Sequence, residues 1–155
     1  MAGEKHWRRL KSLLHEQPLG VLATSARSGP HAALVAFAVS RDLREILFAT
    51  SRATRKFESL REQPGVALLI DDRSNEVGDF RDAAAVTVHG RAEEVSLSRQ
   101  EKARSLYLAR HPYLSEFVRA PSCALLGIAV ESYDLVVNFQ DVHILRPGDG
   151  LHPTD

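Results

Sequence analysis

The sequence predicts a mainly β protein with flanking helices, folded as a six- to seven-stranded antiparallel barrel. Three observations predict it. Short apolar runs recur along the chain, and several alternate apolar with polar residues at the period of two that a strand imposes. The runs follow one another across brief turns, so antiparallel pairing between sequence neighbours is the simplest arrangement. Helical periods are few, and a sheet of six or seven strands that closes on itself leaves no bare edge. No repeat, low-complexity tract or linker divides the 155 residues. One domain over residues 1–147 is expected, with residues 148–155 as a disordered tail.

The elements are justified in chain order. In "HWRRLKSLLHEQPLG", Trp7, Leu10, Leu13 and Leu14 recur at helical spacing, and Pro18 and Gly20 end the helix. The period then changes. "GVLATSA" reads as a strand, Arg27 to Pro30 as a turn, and "HAALVAFAVS" as a second strand. "RDLRE" turns the chain into a third strand, "ILFAT", and the three runs predict a meander. A helix from Thr54 to about Glu62 turns Phe57 and Leu60 inward, and "QPG" stops it. The near-continuous apolar run "VALLID" predicts a central, buried fourth strand. "DRSNEVGDFRDA" is a polar loop. In "AAVTVHGRAEEV", Val86, Val88 and Gly90 alternate with Thr87, His89 and Arg91, and Gly90 marks a bend or bulge. Ser98 to Glu101 reads as a capping box that opens a helix carrying Ala103, Leu106, Tyr107 and Arg110 on one side. His111 and Pro112 end it, and a shorter helical piece follows from Tyr113 to Arg119. "CALLGIAVESYDLVVNF" supplies one or two strands and "VHILRP" a last short one.

Composition bounds the function. Hydrophobic residues make up 44% of the chain and charged residues 26%, as in an ordinary globular domain. Twenty basic side chains balance twenty acidic ones. That balance argues against general binding to nucleic acid or to an anionic membrane, both of which need a basic excess. The single cysteine, Cys123, permits no intrachain disulfide and lies in an apolar run, so it reads as a buried structural thiol. No secretory signal and no run near the roughly 20 apolar residues of a membrane span is present, so a cytoplasmic location is expected.

Most catalytic and metal patterns are missing. The seven histidines are scattered, none at the spacing of a helical zinc site, and there is no CxxC, so no metal site is expected. No GxSxG elbow, dinucleotide fingerprint or P-loop occurs. One stretch stands out: "LFATSRATRKFESL", Leu47 to Leu60. Thr50 and Ser51 place hydroxyls at a strand end, and the helix beginning near Thr54 offers free backbone N–H groups. Arg55 and Lys56 put two cations in its first turn, where the helix dipole slightly disfavours them. Together these are the parts of a monophosphate site at a helix N-terminus. The plainer alternative, in which Thr54 only caps the helix and the cations are solvated, stays open on these grounds.

The order of elements over roughly Leu13 to Leu145 resembles the FMN-binding split β-barrel superfamily, the pyridoxamine 5′-phosphate oxidase-like proteins. Three local pieces carry the likeness: "FATSRATRK", "REQPGVALLID" and "AVTVHGRAEEV" followed by a helix. The resemblance implies a homodimer with FMN in grooves shared by the two subunits. It implies that Arg55 and Lys56 bind the phosphate with help from Thr50 and Ser51. It places the backbone of Val35, Ala36 and Phe37 against the isoalloxazine ring, and Arg73, Ser74 and Asn75 near the flavin or its ribityl chain. Asn138 and Phe139 are candidates for the partner's side of the groove. Two departures stand out. Ala85 takes the place where the vitamin B6 oxidases carry a glutamine. The tail "YDLVVNFQDVHILRP" lacks their tryptophan and Arg-x-His element, the only tryptophan being Trp7. The resemblance therefore implies an FMN-dependent oxidoreductase of this family that is not a true pyridoxamine-phosphate oxidase, acting on an unidentified small molecule. No side chain stands out as a catalytic acid or base. The alternatives within the fold are a heme or deazaflavin cofactor in place of FMN, and a non-enzymatic flavin- or heme-binding sensing barrel.

Overall fold

A computed structural model describes residues 2–149. The first helix, α1 (Ala2–Glu16), buries Trp7, Leu10, Leu13 and Leu14, the residues that share its apolar stripe. Seven strands follow: β1 (Leu19–Ala26), β2 (Gly29–Val39), β3 (Glu45–Ser51), β4 (Gly65–Asp71), β5 (Ala85–Glu94), β6 (Cys123–Val137) and β7 (Asp141–Leu145). They form one sheet in the order β3-β2-β1-β4-β5-β6-β7. An additional β3–β6 pairing closes the first six into an antiparallel barrel, with β7 added outside on β6. The meander of β1, β2 and β3 is as expected. Of "CALLGIAVESYDLVVNF", all but the last two residues form one long strand that touches three neighbours.

The barrel is filled by inward residues from every strand, among them Leu22, Phe37, Phe48, Leu68, Val88 and Ile128, and α1 plugs one side. Burying each such side chain contributes roughly 1.5–3 kcal/mol, so this interior carries most of the stability. Two further helices, α4 (Gln100–Arg110) and α5 (Ser115–Arg119), cover part of the outside with a second cluster of Ala38, Leu47, Tyr107, Val118 and Leu125. The start of β6 is thus buried on both faces. β4 is central in the sheet but buried on one face only, because no helix covers the other. Its apolar run leaves Leu69 37% exposed, which corrects the expectation of full burial.

Gly90 marks a bulge, as its place in the strand predicts. The β5–β6 register shifts between His89 and Gly90, and a Cβ there would lie 2.3 Å from the Ala129 carbonyl oxygen. Two elements differ from expectation. Ser98 does not open α4 through a capping box. A 3-10 turn over Leu97–Arg99 precedes the helix with no side-chain cap, and the Ser96 and Ser98 hydroxyls face each other at 3.2 Å. The polar loop after β4 contains a short helix, α3 (Asp79–Asp82). Of the expected tail, the Asp149 N–H closes a turn on the Arg146 carbonyl at 3.0 Å, and residues 150–155 lie outside the described residues.

Candidate functional site

The strand-to-helix junction is held by its hydroxyls. β3 ends at Ser51, and the Thr54 N–H bonds back to the Ser51 carbonyl at 3.2 Å. Thr54 is the N-cap of α2 (Arg55–Glu62): its Oγ1 accepts the Phe57 N–H at 3.2 Å and donates to the Ser51 carbonyl at 2.9 Å. The Thr54 proton is thereby committed. In the 3.1 Å contact between Thr50 and Thr54 hydroxyls, Thr50 is then the donor. Thr50, 3% exposed, is a buttress behind the cap. Ser51 Oγ accepts the Ala53 N–H at 3.3 Å and keeps its own proton free. The first helical bond runs from the Glu58 N–H to the Thr54 carbonyl. The N–H groups of Arg55 and Lys56 therefore have no partner inside the helix.

Arg55 and Lys56 stand at the first two positions of α2, and their Cβ atoms tilt toward its N-terminus. Among the described residues neither side chain has an acidic partner or a hydrogen bond. Arg55 lines an open groove of about 410 Å³ with Arg27, Ser28 and His31 from the β1–β2 turn and Glu58 and Glu62 from its own helix. Lys56 does not line it. Lys56 is half-buried, and burial lowers its ammonium pKa from the usual lysine value. A half-buried cation with no counter-charge beside two open helix N–H groups is a site that an anion would relieve. The neighbouring Arg52 is different: it pairs with Glu94 and lies 5.7 Å from the centre of the Phe57 ring.

On β2, Val35 and Phe37 turn their side chains into the barrel and Ala36 turns outward. Their backbone groups divide by parity. The Phe37 N–H bonds the Pro18 carbonyl, so odd residues face β1 and even residues face β3. β2 and β3 pair only at Phe37–Phe48, Ala38–Leu47 and Val39–Ile46, and then part. At the parting, Tyr107 of α4 donates its hydroxyl to the Ala36 carbonyl at 3.1 Å. His111, which ends α4, sets Nε2 2.6 Å from the Phe37 carbonyl, and since a carbonyl only accepts, Nε2 carries the proton. Both side chains are buried, at 1% and 8% exposure. Burial pushes the Tyr107 phenol up to about 12. The sequence put Tyr107 on one side of its helix with Ala103 and Leu106 but gave no sign of these bonds, whose partners lie 71 and 74 residues away.

Arg73, Ser74 and Asn75 stand in the loop between β4 and α3. Their loop is wrapped around Asp79, whose carboxylate accepts the Ser74 N–H and hydroxyl at 3.0 and 2.8 Å and the Asn75 N–H at 2.7 Å. Those bonds hold the Asp79 carboxyl below the usual range, and Arg73 pairs with Asp71 at 2.9 Å. Ala85 opens β5 opposite Asp71, and Trp7 is in the core. Asn138 and Phe139 make the β6–β7 turn with φ of 49° and 68°. Phe139 meets Phe80 edge-on at 5.1 Å between ring centres. Cys123 is buried, and burial raises its thiol pKa against the pull of Arg52. Among the described residues no group of three or more His, Cys, Asp or Glu could hold a metal ion, and no helix is long and apolar enough to cross a membrane.

A closed six-stranded antiparallel barrel, parted between two strands beside a basic helix start, defines the class: a split β-barrel. The sequence matches the pyridoxamine 5′-phosphate oxidase family over residues 7–136. The chain belongs to the pyridoxamine 5′-phosphate oxidase-like split-barrel family. No curated protein matches it. Solved structures with the same fold include a heme binding protein from Mycobacterium smegmatis, at a TM-score of 0.80 and 17% identity over 92% of this chain. This chain spans 58% of that protein's length. An FAD-binding protein from Mesorhizobium loti matches at a TM-score of 0.66 and 18% identity, over 83% of this chain and 90% of its own. The General Stress Protein 26 of Bacillus anthracis matches at 0.71 and 19%, over 94% and 99%.

Proposed function

We propose that the protein is a cytoplasmic homodimeric flavoprotein that binds FMN and works as an oxidoreductase. The observation that carries the reading is Lys56, half-buried at the open start of α2 with no acidic partner among the described residues. A flavin phosphate supplies the missing charge. In this reading Arg55, Lys56, the Ser51 hydroxyl and the free N–H groups of α2 hold the phosphate, while Thr50 fixes the cap behind them. The strand segment Val35, Ala36 and Phe37 sets the ring along the parting of β2 and β3, and the loop of Arg73, Ser74 and Asn75 forms the rim. FMN would supply hydride or electron transfer. The chain's part is to anchor, orient and shield. Ala85 and the tail speak against pyridoxamine phosphate as the substrate.

The dimer is supported by a bare apolar face. Val21 lies opposite both Leu34 and Leu69, so three apolar residues form a row across β2, β1 and β4 on the outside of the barrel. Leu34 is 65% exposed and Leu19 47%. Apolar rows of this kind mark interfaces. FMN is added to purified protein and its absorption and fluorescence are followed. Quenching and a shifted flavin band are expected. A colourless protein after removal of free FMN overturns the reading, and a Soret band would assign heme instead.

A further inference from the structure

We propose that Tyr107 is a positioning residue whose hydroxyl replaces a rung of the β2–β3 ladder and keeps the two strands parted. The register carries the argument. Residues paired across β2 and β3 sum to a constant, from Val39–Ile46 to Phe37–Phe48, and the Ser40 N–H donates to the Glu45 carbonyl on the same sum. The next pair to exchange backbone hydrogen bonds would be Ala36 with Ala49. That rung is absent. Its place is taken by the Tyr107 phenol oxygen, which donates to the Ala36 carbonyl, with Ala49 packed against the same cluster. The buried hydroxyl thus satisfies a backbone carbonyl of β2 that would otherwise reach for Ala49 of β3.

α4 is tied down around this point on the side away from β3 as well. Arg110 donates to the Gln17 carbonyl at 2.9 Å and His111 to the Phe37 carbonyl, so β2 is gripped along both edges where it leaves the barrel. Beyond the wedge, the β3-facing groups of β2 belong to Leu34 and Ala32 and have no strand partner. The wedge therefore decides how much backbone edge the parting presents. The consequence for a cofactor rests on the flavin reading above; the wedge itself does not.

The test is Tyr107→Phe, which keeps the ring and removes the hydroxyl. Amide exchange and cross-strand contacts are measured by NMR without cofactor. In the native protein the Ala36 N–H has no strand partner and exchanges fast. In the variant the Ala36–Ala49 rung closes, Ala36 exchange slows by about ten-fold or more, and a Val35–Thr50 Hα–Hα contact appears. Unchanged exchange and no new contact overturn the proposal. Should the variant not fold, the native protein decides alone: a slowly exchanging Tyr107 hydroxyl proton close to the Ala36 or Ala49 amide supports the wedge, and its absence contradicts it. FMN binding is read in parallel. A native protein that takes no FMN defeats the flavin reading and leaves the exchange result standing. A native protein that binds FMN, with a variant that binds it about ten-fold more weakly, ties the wedge to the groove.

Discussion

At the scale of single residues, the account turns on Lys56 and its neighbours. Each charge-assisted contact to a phosphate is worth about 1.5–3 kcal/mol, so Arg55→Ala with Lys56→Ala should weaken FMN by ten-fold or far more, measured by fluorescence quenching. Burial lowers the Lys56 pKa from 10.5, so the charged form is disfavoured in the folded protein. That cost to folding is fully present below the lowered pKa, shrinks as pH rises from it toward 10.5, and is gone above that value. Anion binding runs the other way. FMN affinity should decline as pH climbs through the lowered pKa, while Lys56→Arg, which keeps its charge, holds affinity over the same range. Arg55 and Lys56 were legible in the sequence because two cations at a helix start conflict with the dipole. The buttressing role of Thr50 was not, because it depends on which hydroxyl proton Thr54 has already committed.

At the scale of elements, local pattern located nearly every strand and failed where long-range contacts decide. The alternation in β5 and the bulge at Gly90 were readable, because inward and outward residues of a one-sided strand differ in kind. A Cβ at Gly90 would press on the Ala129 backbone, which cannot rotate away. Gly90→Ala should therefore cost about 1–3 kcal/mol, seen as a fall of several degrees in thermal midpoint. The Asp79-centred loop was read only as a polar loop, since its order comes from one carboxylate gathering the N–H groups of residues several positions earlier. The capping box failed because Ser96, two residues before the box, starts a 3-10 turn that takes up the helix entrance. The Tyr107 and His111 contacts join α4 to a strand more than 70 residues away, beyond any local period.

At the scale of the whole molecule, the barrel was legible because closure follows from strand number and the avoidance of edges. The face that a partner would cover was legible only in part. "VALLID" signalled burial, and the structure shows that the chain buries one side of it and leaves Leu69, Leu34 and Leu19 outside. A charge in that row should oppose association: Leu34→Arg is expected to give a monomer by light scattering, with flavin lost along with the partner's half of the groove. The central claim is flavin binding at the start of α2, and phosphate dependence tests it most directly. FMN and riboflavin, which differ by that phosphate, are titrated into the native protein and into Lys56→Ala. The account predicts FMN bound at least about ten-fold more tightly than riboflavin by the native protein, with the gap shrinking in the variant. Equal affinity for the two flavins, or a gap that Lys56→Ala leaves intact, would contradict it.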